Sequence, residues 1–162
     1  MRNYAALPIL LIAAALQATF APQIRVFGGT PDLTFLCVLA WAITADLEIG
    51  VLWAFAGGIL TDLLSAAPTG ASVIGLLLIV FGIDALRRQF VNISLPLVIL
   101  LLIGGTVVQK LVFAVVMILS GFGINLFEYS IYVVAPTLAY NVIFALPVFW
   151  FMRRFKPRRV GV

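Results

Sequence analysis

The chain of 162 residues has no histidine, a single cysteine and few charges. Without histidine it lacks the commonest general base and the commonest metal ligand. Cys37 stands alone, so no disulfide forms within the chain. It lies in an apolar run and reads as a small packing residue, because a reactive thiolate needs an electropositive, wet setting. Charged residues make up 10% of the sequence, against about 25% in soluble domains. No phosphate-binding glycine loop, metal-ligand cluster or nucleophile–base pair is present. The reading is therefore a protein without catalytic residues, cofactor or metal.

What fills the chain is apolar: 64% of residues are hydrophobic and the mean hydropathy is +1.23. A compact soluble domain of this size exposes too many of its residues to water to hide that much apolar surface. This excludes a soluble enzyme, a nucleic-acid-binding domain and a disordered chain. Lipid removes the difficulty, and the expected fold is an all-α integral membrane protein, a single domain over 1–162. A crossing of ~30 Å of hydrocarbon needs about 20 apolar residues. Six segments are expected, at 4–21, 31–46, 49–64, 71–86, 95–119 and 129–152, with a basic tail at 153–162. Pro22, Gly28-Gly29, Pro31, Pro68, Gly70, Pro96, Gly121 and Gly123 mark the breaks. The first segment reads as one span among several and not as a cleavable signal.

Basic residues set the orientation. With both termini cytoplasmic, Arg2, Arg87, Arg88, Arg153, Arg154, Lys156, Arg158 and Arg159 fall inside and Arg25 alone falls outside. Trp41, Trp53 and Trp150 then lie at the inner leaflet, where indole rings favour the headgroup level. The second segment is short, with an apolar run of only Leu33 to Ala45. Segments two and three therefore form either two full crossings or a re-entrant hairpin. The basic tail is expected to attract anionic lipid, and no nucleic-acid partner is expected.

The polar and small residues inside these segments are the candidate sites. Gly50, Ala54 and Gly58, with Gly57 beside them, form a flat stripe suited to close helix packing. Asp62 reads either as an acceptor for the Ser65–Gly70 turn or as an ion or substrate ligand. Asp32, after Pro31, reads as the acidic cap of a helix. Asp84 and Arg88 are spaced for a helix-surface ion pair. Lys110 sits deep in the fifth segment, and with Gln109, Tyr140 and Asn141 it is expected to form one buried polar layer. No acid at matching depth is evident from residue counting.

The run Pro31-Asp32-Leu33, followed by Gly58-Ile-Leu-Thr-Asp62-Leu-Leu-Ser65 and Pro68-Thr-Gly70, resembles the rod shape-determining MreD family. The motif covers residues 31 to about 75, and the remainder agrees in hydropathy and length. The chain departs from members with basic residues between segments two and three, carrying Asp46 and Glu48 there. The resemblance implies a non-enzymatic scaffold of side-wall peptidoglycan synthesis in the bacterial inner membrane. It implies binding to MreC, in company with MreB, RodA and a class B penicillin-binding protein. It also implies a six-helix bundle similar to the substrate-binding subunits of energy-coupling-factor transporters. A membrane-embedded small-molecule-binding subunit of a transporter is the alternative, with Lys110, Gln109 and Asn141 lining a cavity.

Overall fold

The computed structural model describes residues 6–65, 68–89, 95–152 and 154. Over these the chain forms six helices and no strand. They are α1 (Ala6–Thr19), α2 (Leu33–Ala42), α3 (Leu47–Leu63), α4 (Ala71–Gln89), α5 (Leu95–Leu119) and α6 (Leu126–Met152). Only α5 and α6 combine the length and apolar composition needed to cross a membrane. Arg2, Arg153, Lys156, Arg158 and Arg159, which carry much of the expected charge asymmetry, lie outside the described residues.

The expected segment 31–46 is corrected most. Helix α2 has ten residues and so rises about 15 Å. Its helical geometry starts after Asp32 and stops at Ile43, because the Asp32 carboxylate accepts the Phe35 N–H at 3.2 Å and ends the helix on that side. Every residue from Thr34 to Ala42 is buried. A helix that is apolar all round belongs at the centre of a protein, and α2 packs against all five other helices. Its far end is closed by Arg87 of α4, which donates to the Ala42 carbonyl at 3.2 Å and also to the Ala45 carbonyl. The other bounds move less. The first segment stops at Thr19 and passes into a 3-10 turn, Ala21–Ile24, with Pro22 near its start. The last begins at Leu126, three residues before Tyr129.

Helix α6 carries a π-helical turn over Ser130–Val134, with Pro136 two residues beyond it. Proline has no N–H to offer the carbonyl four residues back, which here is Tyr132. That carbonyl instead accepts the Gly28 N–H at 2.8 Å. The connection from α1 to α2 is thereby drawn onto α6. Gly28 and Gly29 are required there by contact: a Cβ on Gly29 would lie 2.6 Å from the Pro136 Cβ and 2.7 Å from the Thr137 nitrogen.

The small residues of α3 serve packing inside the chain. Gly50, Ala54, Gly57 and Gly58 are all buried. Gly50 faces Val80 of α4, Gly57 faces Leu10, Thr34 and Val38 of α1 and α2, and Gly58 rests on the Val73 backbone. Trp41 and Trp53 are likewise internal. Their rings stack at 4.3 Å with 15° between planes, and both are buried in the core with Leu36, Leu39 and Leu76. Both indoles therefore face the interior of the bundle and not its outer surface. Trp150 is exposed and lies under the Arg154 guanidinium at 4.5 Å.

Candidate functional site: a buried polar connection between α2, α5 and α6

The connection leading into α2 commits three alternate N–H groups to α6. Gly28 donates to the Tyr132 carbonyl, Thr30 to the Thr137 hydroxyl at 3.3 Å, and Asp32 to the Asn141 side-chain oxygen at 2.9 Å. Non-helical backbone is thus buried with these three amides satisfied. The segment also delivers the Asp32 side chain into the bundle. One carboxylate oxygen caps α2, and the other accepts from the Lys110 ammonium of α5 at 2.8 Å. The Asp32 side chain is 3% exposed and that of Lys110 17%. The expectation that Lys110 lacks an acid is therefore wrong. Counting residues along each helix put Asp32 at the end of a crossing, whereas the α1–α2 connection descends along α6 and carries it to the level of Lys110.

Asn141 is the node of this connection. Its oxygen holds the Asp32 amide, and its NH₂ donates to the Thr106 hydroxyl at 3.1 Å. Thr106 in turn donates to the Leu102 carbonyl at 2.7 Å. The polar layer expected from the sequence divides. Lys110 and Asn141 meet at Asp32. Tyr140 turns away and donates to the Ile24 carbonyl. Gln109 packs against Gly75 of α4, and its side-chain oxygen has no hydrogen-bond partner among the described residues. Thr106 and Thr137 were missed. The signal was available, since Thr106 with Lys110 and Thr137 with Asn141 are both spaced i,i+4 and share helix faces.

Asp62 does the work of a cap from a neighbouring helix. It is buried, and its carboxylate accepts Gly70 N–H at 2.7 Å and Ser72 N–H at 3.1 Å. These are amides at the start of α4, which an α-helix leaves without intrahelical acceptors. The carboxylate also sits at the positive end of the α4 dipole. Gly70 adopts φ +103°, a conformation that L side chains rarely take, so the turn presents its N–H to Asp62. Pro68 supplies the carbonyl that accepts the Ala71 N–H at 3.2 Å. The acceptor reading of Asp62 is the one this geometry fits. Asp62→Ala is expected to cost about 2–4 kcal/mol, because hydrogen bonds to a charged group contribute about 1.5–3 kcal/mol and two buried amides lose their acceptor. Asp62→Asn, keeping one acceptor oxygen, is expected to lose about half as much. Thermal unfolding of the purified variants checks this; equal losses for Ala and Asn would contradict it.

Asp84 and Arg88 form the expected surface pair at 2.9 Å, an interaction of under ~1 kcal/mol when exposed. Cys37 is buried in α2. No three His, Cys, Asp or Glu residues come together as a metal site among the described residues.

These features define a class: a helical bundle around one short central helix, tied internally by buried polar bonds, with two long apolar helices. The chain belongs to the MreD family, whose model, described as rod shape-determining protein MreD, matches residues 2–157. Its role is therefore in rod-shape determination, in a family known for shape determination and not for catalysis. No curated protein and no solved structure shows significant similarity to the chain.

Proposed function

We propose that the protein is a non-enzymatic, multi-pass scaffold of the inner membrane, with both termini cytoplasmic, that binds MreC through its transmembrane helix. In this reading it helps organise side-wall peptidoglycan synthesis together with MreB, RodA and a class B penicillin-binding protein. The basic tail meets anionic lipid. The family membership carries the reading, and two structural features support it. The interior side chains Asp32, Asp62, Thr106 and Asn141 spend their hydrogen bonds on neighbouring helices and turns of the chain itself. The faces of α5 and α6 turned away from the core carry Leu100, Val115, Ile143 and Leu146, all exposed, where a helix can pack against them. A likeness to the substrate-binding subunits of energy-coupling-factor transporters belongs to the same proposal, and superposition on an experimental structure of the protein tests it. Co-expression with MreC and purification in mild detergent tests the scaffold. A stoichiometric complex is expected. Recovery of both proteins separately, each folded, overturns it.

A further inference from the structure

We infer that Lys110 is a half-open polar port for a partner's transmembrane helix, and that this helix brings a neutral hydrogen-bond acceptor, a hydroxyl or a side-chain amide. The inference rests on the scaffold reading and names the contact within it. An ammonium has three donors. Among the described residues, Lys110 places a hydrogen bond on Asp32 and no other group. Its side chain retains 17% exposure, so the described residues do not wholly close over Lys110. Ile103 and Ile99, about two and three turns away on the same side of α5, are exposed. They give an apolar track leading to the charge.

Depth restricts what can fill the remaining donors. Lys110 lies nine residues from Leu119 along α5, which is about 13 Å. It is held down by Asp32 and cannot reach up to the membrane surface as free lysines do. A lipid phosphate stays at the headgroup level, and acyl chains carry no acceptor. A second membrane helix delivers one at this depth. The sign of the charge restricts it further. Asp32 already neutralises Lys110, so a carboxylate from the partner would leave an excess negative charge in hydrocarbon, which is costly. A serine, threonine, asparagine or glutamine satisfies the donors without that penalty.

The chain has two lysines, Lys110 and Lys156. Lys156→Arg leaves one, and ¹⁵Nζ-lysine labelling then reports a single ammonium. The full chain carrying Lys156→Arg is titrated with purified full-length MreC in nanodiscs. A shifted Lys110 resonance with slowed proton exchange is expected on binding. In parallel, Asp32→Asn/Lys110→Met removes donor and counter-charge together, while the amide oxygen introduced by Asp32→Asn still caps α2. That variant is expected to melt near the parent and to bind MreC about tenfold more weakly, as fits loss of one charge-assisted hydrogen bond. A complex of undiminished affinity with an unmoved Lys110 signal overturns the port and leaves the scaffold standing. Absence of any complex with the parent chain overturns both.

Discussion

Lys110→Met alone is expected to destabilise the protein by about 3–5 kcal/mol, the range found when one member of a buried ion pair is removed. The loss is not that of the pair's attraction. It arises because the Asp32 carboxylate, 3% exposed at its side chain, is left charged in an apolar interior with no counter-ion. Asp32→Asn should be nearly as damaging for the mirrored reason, although its amide oxygen keeps the cap on the Phe35 N–H. Asp32→Asn/Lys110→Met is expected to recover most of the loss, since a neutral, well-packed replacement of a buried pair is often no less stable than the pair. Thermal unfolding in detergent measures all three, with the buried Trp41–Trp53 stack as an intrinsic fluorescence reporter. A double variant as unstable as the sum of the two single variants would show that the pair is not coupled. The outcome bears on function as well. A pair whose removal is nearly neutral for stability is present for geometry: it fixes the start of α2 against α5 and aims the Lys110 ammonium.

That pair also shows where the sequence was legible and where it was not. The bounds of α5 were readable because a continuous run from Leu95 to Leu119 ends at Ser120 and Gly121, and nothing tertiary competes with that pattern. Asp62 was readable because its partners, Gly70 and Ser72, are close in sequence and the turn chemistry is local. The depth of Asp32 was not, because it depends on the α1–α2 connection lying against α6. That docking follows from a carbonyl freed by Pro136, 104 residues along from Asp32. Hydropathy counts apolar residues; it does not report whether they face lipid or other helices. For α2 it left a full crossing or half of a re-entrant hairpin open and did not show that the helix is buried on all sides as the central post of the bundle. The same limit hid the stacking of Trp41 on Trp53 inside the bundle. Arg87 was read as a topological charge, and its hydrogen bonds to the end of α2 give it a second, structural role that charge counting cannot see.

Gly58→Val is expected to be among the most damaging substitutions in the chain, whereas replacement of Gly82 or Gly104 by alanine should be harmless. A Cβ at Gly58 would lie 2.6 Å from the Val73 Cα and 2.8 Å from its nitrogen. Those atoms belong to the backbone of α4 and cannot step aside as the tip of a side chain would. Helices α3 and α4 must then separate, opening gaps at Gly50–Val80 and straining the Asp62 bonds to Gly70 and Ser72. Overpacking alone costs about 1–3 kcal/mol. With the loss of Asp62's acceptor geometry added, Gly58→Ala should cost about 2–3 kcal/mol and Gly58→Val should prevent accumulation of folded protein. Gly82 and Gly104 are also helical glycines, and a Cβ there would meet nothing within 4 Å. Gly82→Ala and Gly104→Ala are expected to be neutral or to stabilise by up to about 1 kcal/mol, the usual gain for alanine over glycine inside a helix. Yield of monodisperse protein and melting temperature across the four variants separate the cases. If Gly58→Ala melted with the Gly82 and Gly104 variants, the close α3–α4 approach would be wrong, and with it the placement of Asp62 over the start of α4.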